Sequence, residues 1–381
     1  MKNWKSNLSA AIPLVALAMS ACAPENPQRM APPEVYAQGG VQAPVAANVV
    51  IKPKVDVLFV IDNSDSMKPH QENLKKNIDR FVEAFEKNAR LDFNIGVVAV
   101  HDGVRYGKVV EKFHPLGVLY PVKDPSHPGE AVAGPAFVTR APRYAQVLGE
   151  TLKIGVIPRF ADAAKKVDGG GPEYEESFTP VIAAIDGRNA GFIRADAHLA
   201  IVMITDADDA SSVAPSKVNQ VLYETKGKDR SAYSAYAVLA INGCKTDPGI
   251  KDKGPERIKE FIQISRGRVY DLCDKNYGDK LAEVGRSIEK KASRRSKVLL
   301  DAIPEDGTLH VFFDKDGDKK FDATKDETIE GWKYDSEIVA VIIPGDVMDG
   351  RSVDEQVSIT YTPVDGRRIG TARTRAISQA P

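Results

Sequence analysis

Val57-Leu58-Phe59-Val60-Ile61-Asp62-Asn63-Ser64-Asp65-Ser66 decides how the chain is read. Its first half closes an apolar run that opens at Val55 and is broken only by Asp56. A run without alternation marks a strand covered on both faces, as inside a parallel sheet. Its second half places oxygen-bearing side chains at i, i+2 and i+4, in Asp62, Ser64 and Ser66. A carboxylate and two hydroxyls so spaced in an extended turn can converge on one centre, and a hard cation suits such ligands. A turn that only caps the next helix is the competing reading.

Working outward, Leu74, Ile78, Phe81, Val82 and Phe85 recur at helical spacing with Lys, Asn and Glu between them. Further strands are expected at 93–100, 198–205, 235–241 and 268–272. Helices are expected over 256–265 and around Leu281, Val284 and Ile288. This alternation predicts an α/β fold: a doubly wound, mostly parallel sheet with helices on both faces. Residues 104–159 are Pro-rich and irregular and should decorate the sheet. After Ser296, short β runs at 298–300, 308–313, 337–343 and 356–361 alternate with turn residues. They predict a small all-β, sandwich-like domain over 296–372.

Ligands of such a sheet bind beyond the carboxyl ends of its strands. Asp62 stands there, and so does Asp206 in Thr205-Asp206-Ala207-Asp208-Asp209, with Asp208 and Asp209 as secondary candidates. The Asp62-x-Ser64-x-Ser66 pattern after a buried strand resembles the metal-ion-dependent adhesion site of von Willebrand factor A domains. The resemblance covers residues 53–293. It implies a metal-dependent protein-binding or adhesion module and not an enzyme. A divalent cation, Mg²⁺ first and Mn²⁺ or Ca²⁺ as alternatives, would be held by Asp62, Ser64, Ser66 and Asp206. An acidic residue of an unidentified protein partner would complete the shell.

The family takes a further Thr ligand from a loop between these two segments. Here that loop runs from Gly169 to Phe178 and has no Thr in the matching place; Glu175 is nearest, and Thr179 is the fallback. As a ligand, Glu175 would add a negative charge beside the metal, tighten its binding and weaken capture of a partner carboxylate. As an acid at a helix N-terminus it would only serve the dipole. The alternative function is a structural envelope protein whose metal merely rigidifies the loops.

The N-terminus carries Lys2 and Lys5, an apolar stretch from Leu8 to Met19, and then Ser20-Ala21-Cys22. The stretch is too short for a spanning helix. It resembles a lipoprotein signal peptide (1–21), with Cys22 the acylated, palmitate-bearing first mature residue. Ala23 in the next position implies delivery to the bacterial outer membrane, with the lipid as the only membrane contact. Residues 22–52, rich in Pro, Ala and Gly, read as a flexible tether. With Cys22 given to the lipid, Cys244 and Cys273 remain and should pair in an oxidising periplasm. Closing a loop of about 30 residues would stabilise by roughly 3–4 kcal/mol.

The 381 residues suit two domains with a leader and tether. Net charge is −1, and −3 once the two leader lysines are lost, with no basic stripe for nucleic acid. No nucleophile elbow, phosphate loop or paired His/Cys spacing is present, which excludes the corresponding enzyme classes. Asp314, Asp316, Asp318 and Asp322 have the spacing of a calcium loop. But Lys319 replaces the turn Gly and Lys325 the bidentate Glu, so a charged hairpin turn is the favoured reading.

Overall fold

The computed structural model describes residues 44–100, 114–127, 130–154, 175–241, 255–274, 276–352 and 354–364. The leader, Cys22, residues 22–43, Cys244, residues 169–174 and those after 364 lie outside the described residues.

Five strands form one parallel sheet: β2 (Lys54–Ile61), β3 (Asp92–Ala99), β4 (His198–Thr205), β5 (Tyr233–Leu239) and β6 (Arg268–Asp271), in the order β3-β2-β4-β5-β6. Every residue of β2 and of β4 is buried, as the unbroken apolar runs require. Successive β2 side chains enter opposite layers. Val55, Val57, Phe59 and Ile61 pack against α1 (Lys68–Lys87), α2 (Tyr144–Thr151) and the long C-terminal helix, Tyr277–Ala292. Leu58 and Val60 pack against α3 (Phe178–Ile185), α4 (Pro215–Thr225) and α5 (Glu256–Ile264). The Tyr277–Ala292 helix is α6.

Rings stitch the first layer: Phe59, Phe81, Phe85, Phe93 and Tyr144 follow one another at centroid distances of 5.2, 5.3, 5.6 and 5.1 Å. α1 and α6 meet backbone to backbone at Gly285, where an added Cβ would stand 2.1 Å from the Phe81 carbonyl oxygen. Only glycine permits that approach.

The remaining strands are β1 (Val45–Val50), β7 (Arg295–Leu299), β8 (His310–Phe313), β9 (Glu327–Thr328), β10 (Lys333–Asp335), β11 (Ala340–Pro344) and β12 (Gln356–Tyr361). They make two antiparallel sheets, β1-β12-β8-β9 and β10-β11-β7, that bury one shared core. β12 and β4 match their expected spans. The run expected at 337–343 starts later, at Ala340, because Asp335 turns the chain by accepting the amide of Glu337.

Three expectations change. The tether was expected to reach residue 52, yet Val45–Val50 pairs with Gln356–Tyr361 along its whole length. Ala47 and Val49 face the β core while Ala46 and Asn48 face out, a strand alternation hidden in an Ala-rich composition. The β unit therefore draws on chain from both sides of the α/β unit. The segment read as irregular contains α2, and α4 was not foreseen.

Arg90 ties the two units, donating to the carbonyls of Met348 (2.7 Å), Ser352 (2.7 Å) and Arg351. Cys273, just after β6, is disulfide-bonded. No helix of the described residues is long and apolar enough to cross a membrane.

The amino ends of the strands bury charge. Asp56, fully buried, accepts Arg194 Nε (2.8 Å) and the Arg194 amide (2.7 Å), and Lys54 pairs with Asp196. Lys226 Nζ donates to the Arg194 carbonyl at 2.6 Å. His198 shares a 2.8 Å hydrogen bond with Ser234 Oγ. Burial pushes Asp56 up to about 6, Lys226 down to about 8 and His198 down to about 3. His198 thus stays neutral when folded but gains a proton when unfolded below about 6.5. Its contribution to stability is present above that pH and drains away as pH falls towards 3. Asp56 acts with the opposite sign, favouring the folded state as pH falls from 6 to its ordinary value. Replacing His198 by Gln isolates the first effect. The stability advantage of the native protein over His198→Gln should shrink by on the order of 2–3 kcal/mol between pH 7 and pH 4. Thermal melts at several pH values check this; an advantage independent of pH refutes the assignment.

Candidate functional site

Because β2 and β4 run parallel and in register, with Ile61 opposite Ile204, their carboxyl ends emerge side by side. Asp62 is the first residue past β2, and Asp206 the first past β4. The Asp62 amide donates to the Ile204 carbonyl at 2.9 Å, extending the ladder by one step. Glu175 reaches the same place from the segment leading into α3. Asp62, Glu175 and Asp206 are all buried, and each offers a carboxylate oxygen within 4.8 Å of the other two.

The Asp62 side chain is fixed at both oxygens. Oδ1 accepts the Ser64 amide at 2.8 Å, closing a tight turn, and Oδ2 accepts Thr205 Oγ1 at 2.7 Å. Gln71 Nε2, from α1, donates to the Asp62 carbonyl at 2.9 Å. Ser64 Oγ and Ser66 Oγ lie 2.9 Å apart, both half-buried, on the turn that enters α1. Thr205 and Gln71 went unnoticed in the sequence. Thr205 had a signal, its place next to Asp206 at the strand end; Gln71 had none.

The acidic loop divides its carboxylates. Asp206 joins the cluster, but Asp208 and Asp209, the secondary candidates, do not. Asp208 accepts the Arg257 and Ile258 amides at 3.0 and 3.1 Å, capping α5. Asp209 accepts the Ser177 and Phe178 amides at 2.8 and 2.9 Å, capping α3. Burial raises the Asp209 carboxyl, and its hydrogen bonds pull the other way. Thr179 donates its hydroxyl to Glu176 at 2.6 Å and stays outside the cluster.

The donor set fits a divalent cation. Two ligands on Mg²⁺ at 2.0–2.1 Å stand at most about 4.2 Å apart, and two on Ca²⁺ about 5 Å, which brackets the carboxylate separations. Three carboxylates so close and so buried repel one another, and a divalent ion offsets that repulsion directly.

The second acidic group differs from its sequence reading. Asp314 and Asp316 gather with Asp326, not with Asp318 and Asp322. Asp314 accepts the Gly317 and Lys319 amides, Asp326 the Lys315 and Asp322 amides, and Asp318 the Lys320 amide. Lys325 pairs with Asp316 and Asp322 at 3.3 and 3.5 Å. These carboxylates build the turn between β8 and β9, where Asp314, Asp316 and Asp326 each offer an oxygen within 4.8 Å of the other two.

No family model matches the chain, and no curated protein matches it. Among solved structures it is similar to proximal thread matrix protein 1 from the mussel byssus, at 13% identity and a TM-score of 0.37, covering 68% of this chain and 52% of that one. The same mussel protein with a zinc-occupied MIDAS motif matches at 12% identity and 0.34, with the same coverage. The pilus adhesin SpaC from Lactobacillus rhamnosus GG matches at 12% and 0.35, covering 86% of this chain and 42% of the adhesin. The chain thus spans about half the length of these structures, or less.

Removing one of the gathered carboxylates should act in opposite directions with and without metal. In EDTA, Glu175→Gln should melt higher than the native protein, since repulsion is relieved. In millimolar Mn²⁺ or Mg²⁺ it should gain less from the ion than the native protein does, because bound ligand stabilises in proportion to RT ln(1 + [L]/Kd). Melting curves in the two media check this, and equal metal-induced shifts in both proteins would refute it.

Proposed function

We propose that this chain is a metal-dependent protein-binding module of the von Willebrand factor A type, doubly wound and displayed on a lipid-anchored envelope protein. The observation that carries the reading is the convergence of Asp62, Glu175 and Asp206 at the carboxyl rim of β2 and β4. Ser64 and Ser66 lie on the same turn as Asp62 and supply the neutral oxygens. The cation is Mg²⁺ in this reading, with Mn²⁺ or Ca²⁺ able to replace it. Its open position takes an oxygen from a protein partner. In this reading the role is binding and not catalysis.

The third carboxylate also favours a second reading. Three negative charges over-neutralise a divalent ion, and an ion so neutralised is a poor acceptor for a partner's acidic side chain. In this reading the metal stiffens three loops and captures nothing. Chelation separates the two. The immobilised full chain should retain a partner from envelope extract in Mg²⁺ and lose it in EDTA, and Asp62→Ala should fail to retain it in either. A partner held equally in EDTA leaves only the stiffening role.

The anchor reading rests on the lipoprotein-like leader before Cys22. Residues 1–21 are removed in it, 22–44 span from the lipid to β1, and Cys244 is the partner of Cys273. Cys22→Ala should take the protein out of the outer-membrane fraction of broken cells. A variant still recovered with the outer membrane removes the lipid from the account.

A further inference from the structure

Asp209 does more than end a helix. Its side chain is fully buried three residues beyond Asp206, outside the carboxylate cluster. Oδ1 holds the Ser177 and Phe178 amides, and Oδ2 accepts Ser211 Oγ at 2.7 Å and the Arg257 guanidinium at 3.1 Å. Arg257 is locked in turn: it donates to the carbonyls of Ser211 (2.9 Å) and Val213 (2.5 Å) and lies over the Phe178 ring. One residue on, the Ala210 amide donates to the Glu175 carbonyl at 2.8 Å. Glu175 is therefore held at its own carbonyl and again at the amide two residues later. Both ties come from the loop that carries Asp206.

We propose that Asp209, clamped by Arg257 and Ser211, is the positioning residue that places Glu175 in the cation site. This rests on the cation-binding reading above. The loop 206–211 then supplies one ligand directly and sets a second through the start of α3. A charge-assisted acceptor for two adjacent amides suits that task, because it fixes direction as well as distance. Asp209 touches no metal in this account; it acts only through Glu175.

A double-mutant cycle tests this on the full chain, with Mn²⁺ alone as probe and titration calorimetry as readout. Glu175→Gln should weaken Mn²⁺ by about tenfold or more, and Asp209→Asn by a similar factor, the usual effect of losing a supporting partner. The double variant should bind no more weakly than Glu175→Gln, since Asp209 has nothing left to position. The same loss from Asp209→Asn in both backgrounds, or no loss in either, overturns the proposal. Should Asp209→Asn fold poorly by circular dichroism, Arg257→Gln and Ser211→Ala loosen the clamp while leaving the helix cap, and the same cycle applies to them. Asp62→Ala sets the zero: if it binds Mn²⁺ as the native protein does, the cation site itself is refuted, a result distinct from additivity.

Discussion

The parallel pairing of β2 with β4 is the constraint on which the site depends. Seven register pairs, from Val55 opposite His198 to Ile61 opposite Ile204, bring two strand ends to one rim. An antiparallel pairing would put those ends a strand length apart, about 25 Å for eight residues at 3.3 Å each. The register matters as much as the direction, because a slip of one residue turns each side chain to the opposite face. The hydrogen bond from Thr205 Oγ1 to Asp62 Oδ2 then joins the strand ends chemically, from the last residue of β4 to the first after β2.

That rim explains why an acidic loop survives in a buried setting. Asp206, Asp208 and Asp209 look alike in sequence but meet different needs. Two of them satisfy amides at the starts of α5 and α3, where a carboxylate is favoured by both the hydrogen bonds and the helix dipole. The third faces Asp62 and Glu175. The same loop thus fixes two helices of one layer and contributes to the cluster, so the geometry of the cluster is inherited from the packing beneath it.

How much of this was legible follows the range of each signal. β2, α1 and β4 were readable because their burial is dictated by residues one to four positions apart. Asp62, Ser64, Ser66 and Asp206 were readable because strand ends locate sites in such sheets. Glu175 was found only by its distance from Phe178, and Asp208 and Asp209 could not be told from Asp206 without their amide partners. β1 was missed because its partner, β12, lies some 310 residues away, and its Ala and Val residues resemble the Ala/Pro-rich stretch before it. α4 was missed because it buries little: Val218 and Leu222 face the core, while Asn219 is buried through a 2.9 Å bond from the Tyr233 hydroxyl. A buried polar residue at a core position defeats a pattern built on hydrophobicity.

The sheet buries charge at both ends, in two different ways. At the amino end, opposite charges are interleaved: Asp56 with Arg194, Arg194 with Asp92 at 2.8 Å, Lys54 with Asp196. The chain carries its own counter-charges there, and the arrangement is complete once folded. At the carboxyl end, among the described residues, three carboxylates gather from three separate segments. Gathering like charges costs stability unless something positive is shared among them. The two ends of the sheet thus differ in kind: carboxylates pair with Arg and Lys at the amino end, while the carboxyl end gathers a set of oxygen donors that suits a divalent cation.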